Sequence, residues 1–171
     1  MLRAEEAYAL DGQDISRFLN EKVTIVAYDE LRPIQSLLEK YNRFALLYVF
    51  PGKKVGHWVC GFLRQGKLHL FDPYGLNPDE PMKMMQHPEI KTYSRLIQQS
   101  PYYPDRIVIN ATRYQKFADK VDTCGRHVLA RLLFDEYDDA EYRKVMKGPM
   151  ETNADSRATL MTLVIGLHKN K

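Results

Sequence analysis

An α+β fold, with a small mixed central sheet flanked by helices, is the class that three features of the chain predict. Short β-branched or wholly apolar runs through the first two-thirds read as strands. Pro- and Gly-rich turns separate those runs. From Cys124 onward the apolar residues recur at helical spacing instead. A length of 171 residues suits a single domain, 1–171, able to bury a sizeable core. No repeat, low-complexity tract or Ser/Gly linker divides it.

The elements follow in order. Asp11-Gly12-Gln13-Asp14 is a cap for a short amphipathic helix, Ile15 to Leu19. The β-branched run Val23 to Ala27 predicts a strand, and a helix follows Pro33 and extends to about Glu39. Phe44 to Phe50 is apolar throughout, as a central buried strand requires, and Pro51-Gly52 closes it. His57 to Arg64 and Lys67 to Phe71 form a hairpin around Gln65-Gly66. After a turn-rich loop from Asp72 to Asp79 comes a helical or irregular stretch, about Met82 to Gln99, and then a strand, Arg106 to Asn110. Beyond Cys124, residues Val128, Leu129, Leu132 and Leu133 share one helical face, and further helices are expected over about Ala140 to Met146 and Asp155 to Leu167.

Composition excludes several classes. With 44% hydrophobic and 27% charged residues the chain can pay for its own ordering and is not a disordered segment. Met1-Leu2-Arg3 leads into Ala4-Glu5-Glu6 with no apolar core of a signal peptide, so secretion is not expected. Leu160 to Leu167 is too short to span a membrane. Cys60 and Cys124 read as two reduced thiols, which suits an intracellular protein. The net charge of +3 is mild, and no block of like charges marks a nucleic-acid arm, which leaves only weak attraction to nucleic acid.

The chemistry lies in three residues. His57 follows Gly56, Asp72 opens the Asp72-Pro73-Tyr74-Gly75 turn, and Cys124 begins the helical segment. A thiol of ordinary pKa, ~8.5, is only a few per cent thiolate at neutral pH and needs an imidazole beside it. The imidazole needs a carboxylate to fix its tautomer. A helix N-terminus, with its exposed amides and dipole, further favours a thiolate, and Gly125 would let a substrate backbone approach. Other candidates take structural readings. Cys60 sits among apolar residues; His127 follows Cys124 too closely along the helix to serve as its base comfortably. No Cys-x-x-Cys or paired-His spacing supports a metal site, and no cofactor motif is present. Asn110-Ala111-Thr112 matches a glycosylation sequon by chance, and Met82 to Met85 packs or lines a partner surface.

At these residues the chain resembles the clan of cysteine peptidases that contains the adenovirus maturation protease, the SUMO-specific proteases and certain bacterial and viral deubiquitinases. The resemblance is carried by Gly56-His57-Trp58, Phe71 to Gly75, Gln115 and Thr123 to His127, with Leu10 to Ile15 in keeping with large DNA virus or virophage members. It implies a papain-like cysteine protease superfold with His…Asp…Cys chain order. It makes Cys124 the nucleophile, His57 the general base, Asp72 its orienter and Gln115 an oxyanion donor, with Trp58 walling a narrow substrate groove. Gln115 stands nine residues before Cys124, where many relatives have six or seven, and Asn110 is the other nearby amide donor. The implied activity is an endopeptidase cleaving after Gly-Gly or Gly-x-Gly sites, in viral capsid or core precursors. The alternatives are a deconjugase of ubiquitin-like proteins, and a non-catalytic module that binds extended Gly-rich tails. Whether a peptide or nucleic-acid activator is needed is left open.

Overall fold

A computed structural model describes residues 10–52, 56–110, 112–115, 123–147, 154–155, 157–159 and 161–162. Five strands form one mixed sheet in the order β1-β2-β3-β4-β5. They are β1 (Thr24–Ala27), β2 (Arg43–Val49), β3 (Gly56–Arg64), β4 (Lys67–Phe71) and β5 (Ile107–Ile109). The two outer pairs, β1·β2 and β4·β5, are parallel, whereas β2·β3 and β3·β4 are antiparallel. The helices are α1 (Gly12–Phe18), α2 (Ile34–Leu38), α3 (Glu80–Met84), α4 (Thr92–Gln98), α5 (Cys124–Leu133) and α6 (Asp139–Lys147). The expected α+β class and mixed sheet are therefore present.

Local chemistry sets the boundaries. Asp11 caps α1 through a reciprocal capping box with Asp14, so the helix starts at Gly12, earlier than its apolar pattern suggests. Gln65 and Gly66 both have positive φ, 52° and 74°, the geometry of a primed two-residue turn that matches the twist of the β3–β4 hairpin. The stretch after Asp79 resolves into two short helices, α3 and α4, rather than one irregular run.

Alternation along β2 splits the core in two. Phe44, Leu46, Tyr48 and Phe50 face a cluster with Ile34, Leu37, Leu70, Tyr93 and Ile97. Ala45 joins Trp58, Cys60, Phe62, Val128, Leu129 and Leu132 on the other face, against α5. A Cβ on Gly61 would lie 2.4 Å from the Phe44 ring, so glycine is what lets β3 pair at that point. Met82 is buried at 1% exposure and Met84 is 56% exposed; the methionine cluster is therefore split between core and surface.

Helix α5 departs from the amphipathic expectation. Its polar residues Arg126, His127 and Arg131 are as buried as its leucines. Their partners are distant in sequence: Arg126 bonds Thr162, and His127 bonds Asp155. Arg131 lies between the rings of Phe62 and Tyr142 and donates to the Phe134 and Tyr137 carbonyls. Of the C-terminal helix expected from Asp155, residues 154–155, 157–159 and 161–162 are helical, and 163–167 lie outside the described residues. Among the described residues no helix is long and apolar enough to cross a membrane.

Candidate active site

Sheet register explains how His57 meets Asp72. Cys60 pairs with Phe71 across the antiparallel β3–β4 ladder, so continuing one residue sets Asp72 opposite Val59. His57 is two residues from Val59 on the same face, and such diagonal neighbours are within reach of long side chains. The His57 Nε2–H donates to Asp72 Oδ1 at 2.8 Å, with both residues 5% exposed. His57 also lies directly across from Tyr48 in the β2–β3 register.

Asp72 is held from three sides. Its backbone N–H donates to Asn110 Oδ1 at 2.9 Å, and Asn110 Nδ2 donates back to the Asp72 carbonyl at 2.8 Å. The Asn110 amide donates as well to the Thr112 carbonyl at 3.2 Å. Asp72 Oδ1 accepts a second bond, from the Tyr74 N–H at 2.8 Å. The turn closes with the Gly75 N–H on the Asp72 carbonyl, and Gly75 takes the positive φ of 71° that such a turn asks of glycine. The Asn110 amide, the other amide donor near Cys124 in sequence, is thus engaged with the Asp72 and Thr112 backbone, and parallel pairing of β4 with β5 brings it alongside. The sequon match at Asn110 lies in this buried position.

Cys124 is the first residue of α5 and is 4% exposed. Packing of α5 on β3 brings its thiol to His57 as a hydrogen-bond partner. With Nε2 engaged by Asp72, Nδ1 is the ring nitrogen left for sulfur. Burial alone would lower the His57 pKa. The Asp72 charge and hydrogen bond, aided by Cys124, outweigh it and raise the imidazole from 6.5 to about 9. At neutral pH the ring keeps its second proton. Cys60, fully buried on β3 and free, has its thiol pushed far up by burial, the state of an inert core cysteine.

The remaining expected residues divide. The N–H groups of Tyr114 and Gln115 both donate to the Pro73 carbonyl, at 2.8 and 2.9 Å, and so bind the Gln115 loop to the Asp72 turn. Gln115 is 2% exposed. Trp58 is 6% exposed and its indole N–H donates to the Leu10 carbonyl at 3.0 Å. A Cβ on Gly125 would lie 3.0 Å from Leu10 Cβ and 3.4 Å from Trp58 Cδ1. The chain's own Leu10 therefore packs closely on Gly125, and a side chain at this position would crowd it.

Two features escaped the sequence reading. The Tyr74 ring stacks on His57, centroids 4.7 Å apart and planes 21° from parallel, and Tyr48 lies on the imidazole at 6.2 Å. Further, Asp155 Oδ1 accepts from Thr123 Oγ1 at 2.5 Å and pairs with His127 Nε2 at 2.7 Å. All three are at most 1% exposed. They tie down the residue before Cys124 and one turn after it, with His127 Nε2 engaged by Asp155. An aromatic two residues after Asp72 was a visible signal for the first feature; nothing local marked the second.

No protein-family model matches the chain. An uncharacterized protein of Sputnik virophage, V9, is 31% identical over 178 residues, which span 95% of this chain and 98% of V9. Among solved structures, the C-terminal Ulp1 protease domain in complex with Smt3, the yeast SUMO, aligns with a TM-score of 0.41 at 12% identity, over 94% of this chain and 79% of that one. The Chlamydia trachomatis effector Cdu1, bound to ubiquitin, aligns with a TM-score of 0.47 at 14% identity, over 99% and 78% of the two chains. ChlaDub1 of Chlamydia trachomatis aligns at 0.45 and 14% identity, over 91% and 74%.

Proposed function

The chain belongs to the family of Sputnik virophage protein V9, and from the site just described we propose that it is a thiol endopeptidase cleaving after Gly-Gly or Gly-x-Gly sequences. One observation carries the reading: a buried His57 is hydrogen-bonded to Asp72 and, by its other side, to the thiol that opens α5. That arrangement supplies nucleophile, proton carrier and orienter in one place.

In the proposed reaction the Cys124 sulfur, as thiolate beside the His57 imidazolium, attacks the scissile carbonyl carbon. The carbonyl electron pair moves to oxygen. The oxyanion accepts hydrogen bonds from the Gln115 side-chain amide and from the backbone N–H of Cys124, in the first turn of α5. Each such donor is typically worth ~3 kcal/mol. His57 gives its proton to the leaving amine nitrogen as the C–N bond breaks, and a thioester remains. Neutral His57 then takes a proton from water as the water oxygen attacks the thioester. The acid product leaves, and the sulfur recovers its thiolate beside imidazolium. Asp72 keeps the imidazole in the tautomer and orientation for both transfers.

A sunken site favours small residues before the cut. Cys124, His57 and Asp72 are each at most 5% exposed, so an extended Gly-rich segment meets least obstruction. The virophage relative favours capsid or core precursors as substrates over ubiquitin-like conjugates. The test is incubation of the protein, and of its Cys124→Ala variant, with virion precursor proteins beside ubiquitin and SUMO fusions, followed by mass mapping of products. A Cys124-dependent cut after a Gly-Gly or Gly-x-Gly site in a precursor is expected. Cuts only in the ubiquitin or SUMO fusions would move the substrate to conjugates. Retention of Gly-rich tails without any cut would replace the enzyme by a binding module.

A further inference from the structure

We propose that Tyr74 is a positioning residue for His57, holding the imidazole and its carboxylate partner together and sealing their shared proton from water. The proposal rests on two contacts made by one residue. The Tyr74 backbone N–H donates to the same Asp72 oxygen that accepts from His57, each at 2.8 Å. The Tyr74 ring meanwhile lies 4.7 Å from the imidazole, nearly parallel to it. The tether fixes where the ring can go: two residues past Asp72, in a turn closed by Gly75, the side chain returns over the strand end that carries His57.

The placement has a physical consequence. His57 is 5% exposed and Tyr74 is half-buried, so the tyrosine ring covers an imidazole that would otherwise meet solvent at the mouth of the sheet. The imidazole also neighbours Tyr48 across the β2–β3 pair, with ring centroids 6.2 Å apart. An imidazole stacked against the Tyr74 ring loses freedom to flip and exchange its nitrogens between Asp72 and Cys124. A π-face against a protonated imidazole also favours the charged form electrostatically. None of this needs the tyrosine hydroxyl.

Its kinetic consequences rest on the peptidase reading, but the test does not depend on that reading. The low-field His57 Nε2–H proton resonance and the rate of Cys124 alkylation by iodoacetamide at neutral pH are measured in the parent, Tyr74→Phe, Tyr74→Leu and Tyr74→Met. Tyr74→Phe should keep both the resonance and the alkylation rate. Tyr74→Leu should lose the resonance to solvent exchange and alkylate roughly three- to tenfold more slowly, with unchanged far-UV circular dichroism. Tyr74→Met preserves bulk without a π-face, should behave like Leu, and serves if the Leu variant fails to fold. A resonance and rate retained in the folded Leu or Met variant would overturn the proposal, as would their loss in Phe. Failure of the peptidase reading would show differently, as a parent that cleaves nothing while the contrast between Phe and Leu persists.

Discussion

Replacing Asp72 by Asn removes a charge from the His57 pair while leaving an acceptor of nearly the same shape. The backbone contacts to Asn110 do not involve the Asp72 side chain, so the variant should fold. In the parent, burial pulls the His57 pKa down, and Asp72 with Cys124 carries it to about 9. Without the charge, burial dominates and the imidazole should titrate below its ordinary 6.5. At pH 7 the protonated fraction then falls from ~99% to less than about a quarter. The sign for stability follows from linkage. Because the folded pKa is the higher one, this group stabilises the fold fully below about 6.5, and the contribution disappears as pH rises through about 9. A rise from 6.5 to about 9 corresponds to roughly 3 kcal/mol. The Asn variant should lack that pH-dependent loss, lose most of kcat, and alkylate slowly at Cys124. Titration of the His57 ring by NMR, beside denaturant unfolding between pH 6 and 10, checks each part. A His57 midpoint still near 9 in Asp72→Asn would refute the reasoning and assign the shift to another group.

Other expectations concern single roles. Iodoacetamide should label Cys124 well before Cys60 in the folded protein, because Cys60 is fully buried and its thiol is pushed up by burial; peptide mapping that finds Cys60 first reverses the two assignments. Gln115→Ala should cut kcat roughly 10²–10³-fold with little change in KM while Cys124 still alkylates at the parental rate; steady-state kinetics beside alkylation decides it. Asn110→Ala should cost about 1–3 kcal/mol in denaturant unfolding, since it strands the buried Asp72 N–H and carbonyl.

The meeting of His57, Asp72 and Cys124 was legible because each of them stands at punctuated sequence. His57 opens an apolar strand, Asp72 precedes Pro73 and Gly75, and Cys124 starts a helical repeat. Strand alternation and turn chemistry act over a few residues, so they can be read directly. The roles that escaped depend on pairings across long separations. Asn110 reaches Asp72 across 38 residues and Asp155 reaches His127 across 28. Neither leaves a periodic trace. In sequence Asn110 therefore reads as a spare amide donor, and only the parallel strand pairing reveals its bonds to Asp72. Likewise, only the folded chain reveals Leu10 packed beside Gly125. The all-round burial of α5 was hidden because Arg126, His127 and Arg131 look solvent-facing until their partners are known.

The most direct test of Cys124 as a peptidase nucleophile uses an electrophile whose reactive carbon takes the place of the scissile carbonyl after Gly-Gly. The folded protein is treated with this Gly-Gly vinyl sulfone, and intact mass with peptide mapping locates the adduct. The triad assignment requires one adduct, on Cys124, formed quickly in the parent and very slowly in His57→Ala. Labelling at Cys60, or equal labelling of Cys124 with and without His57, would contradict it.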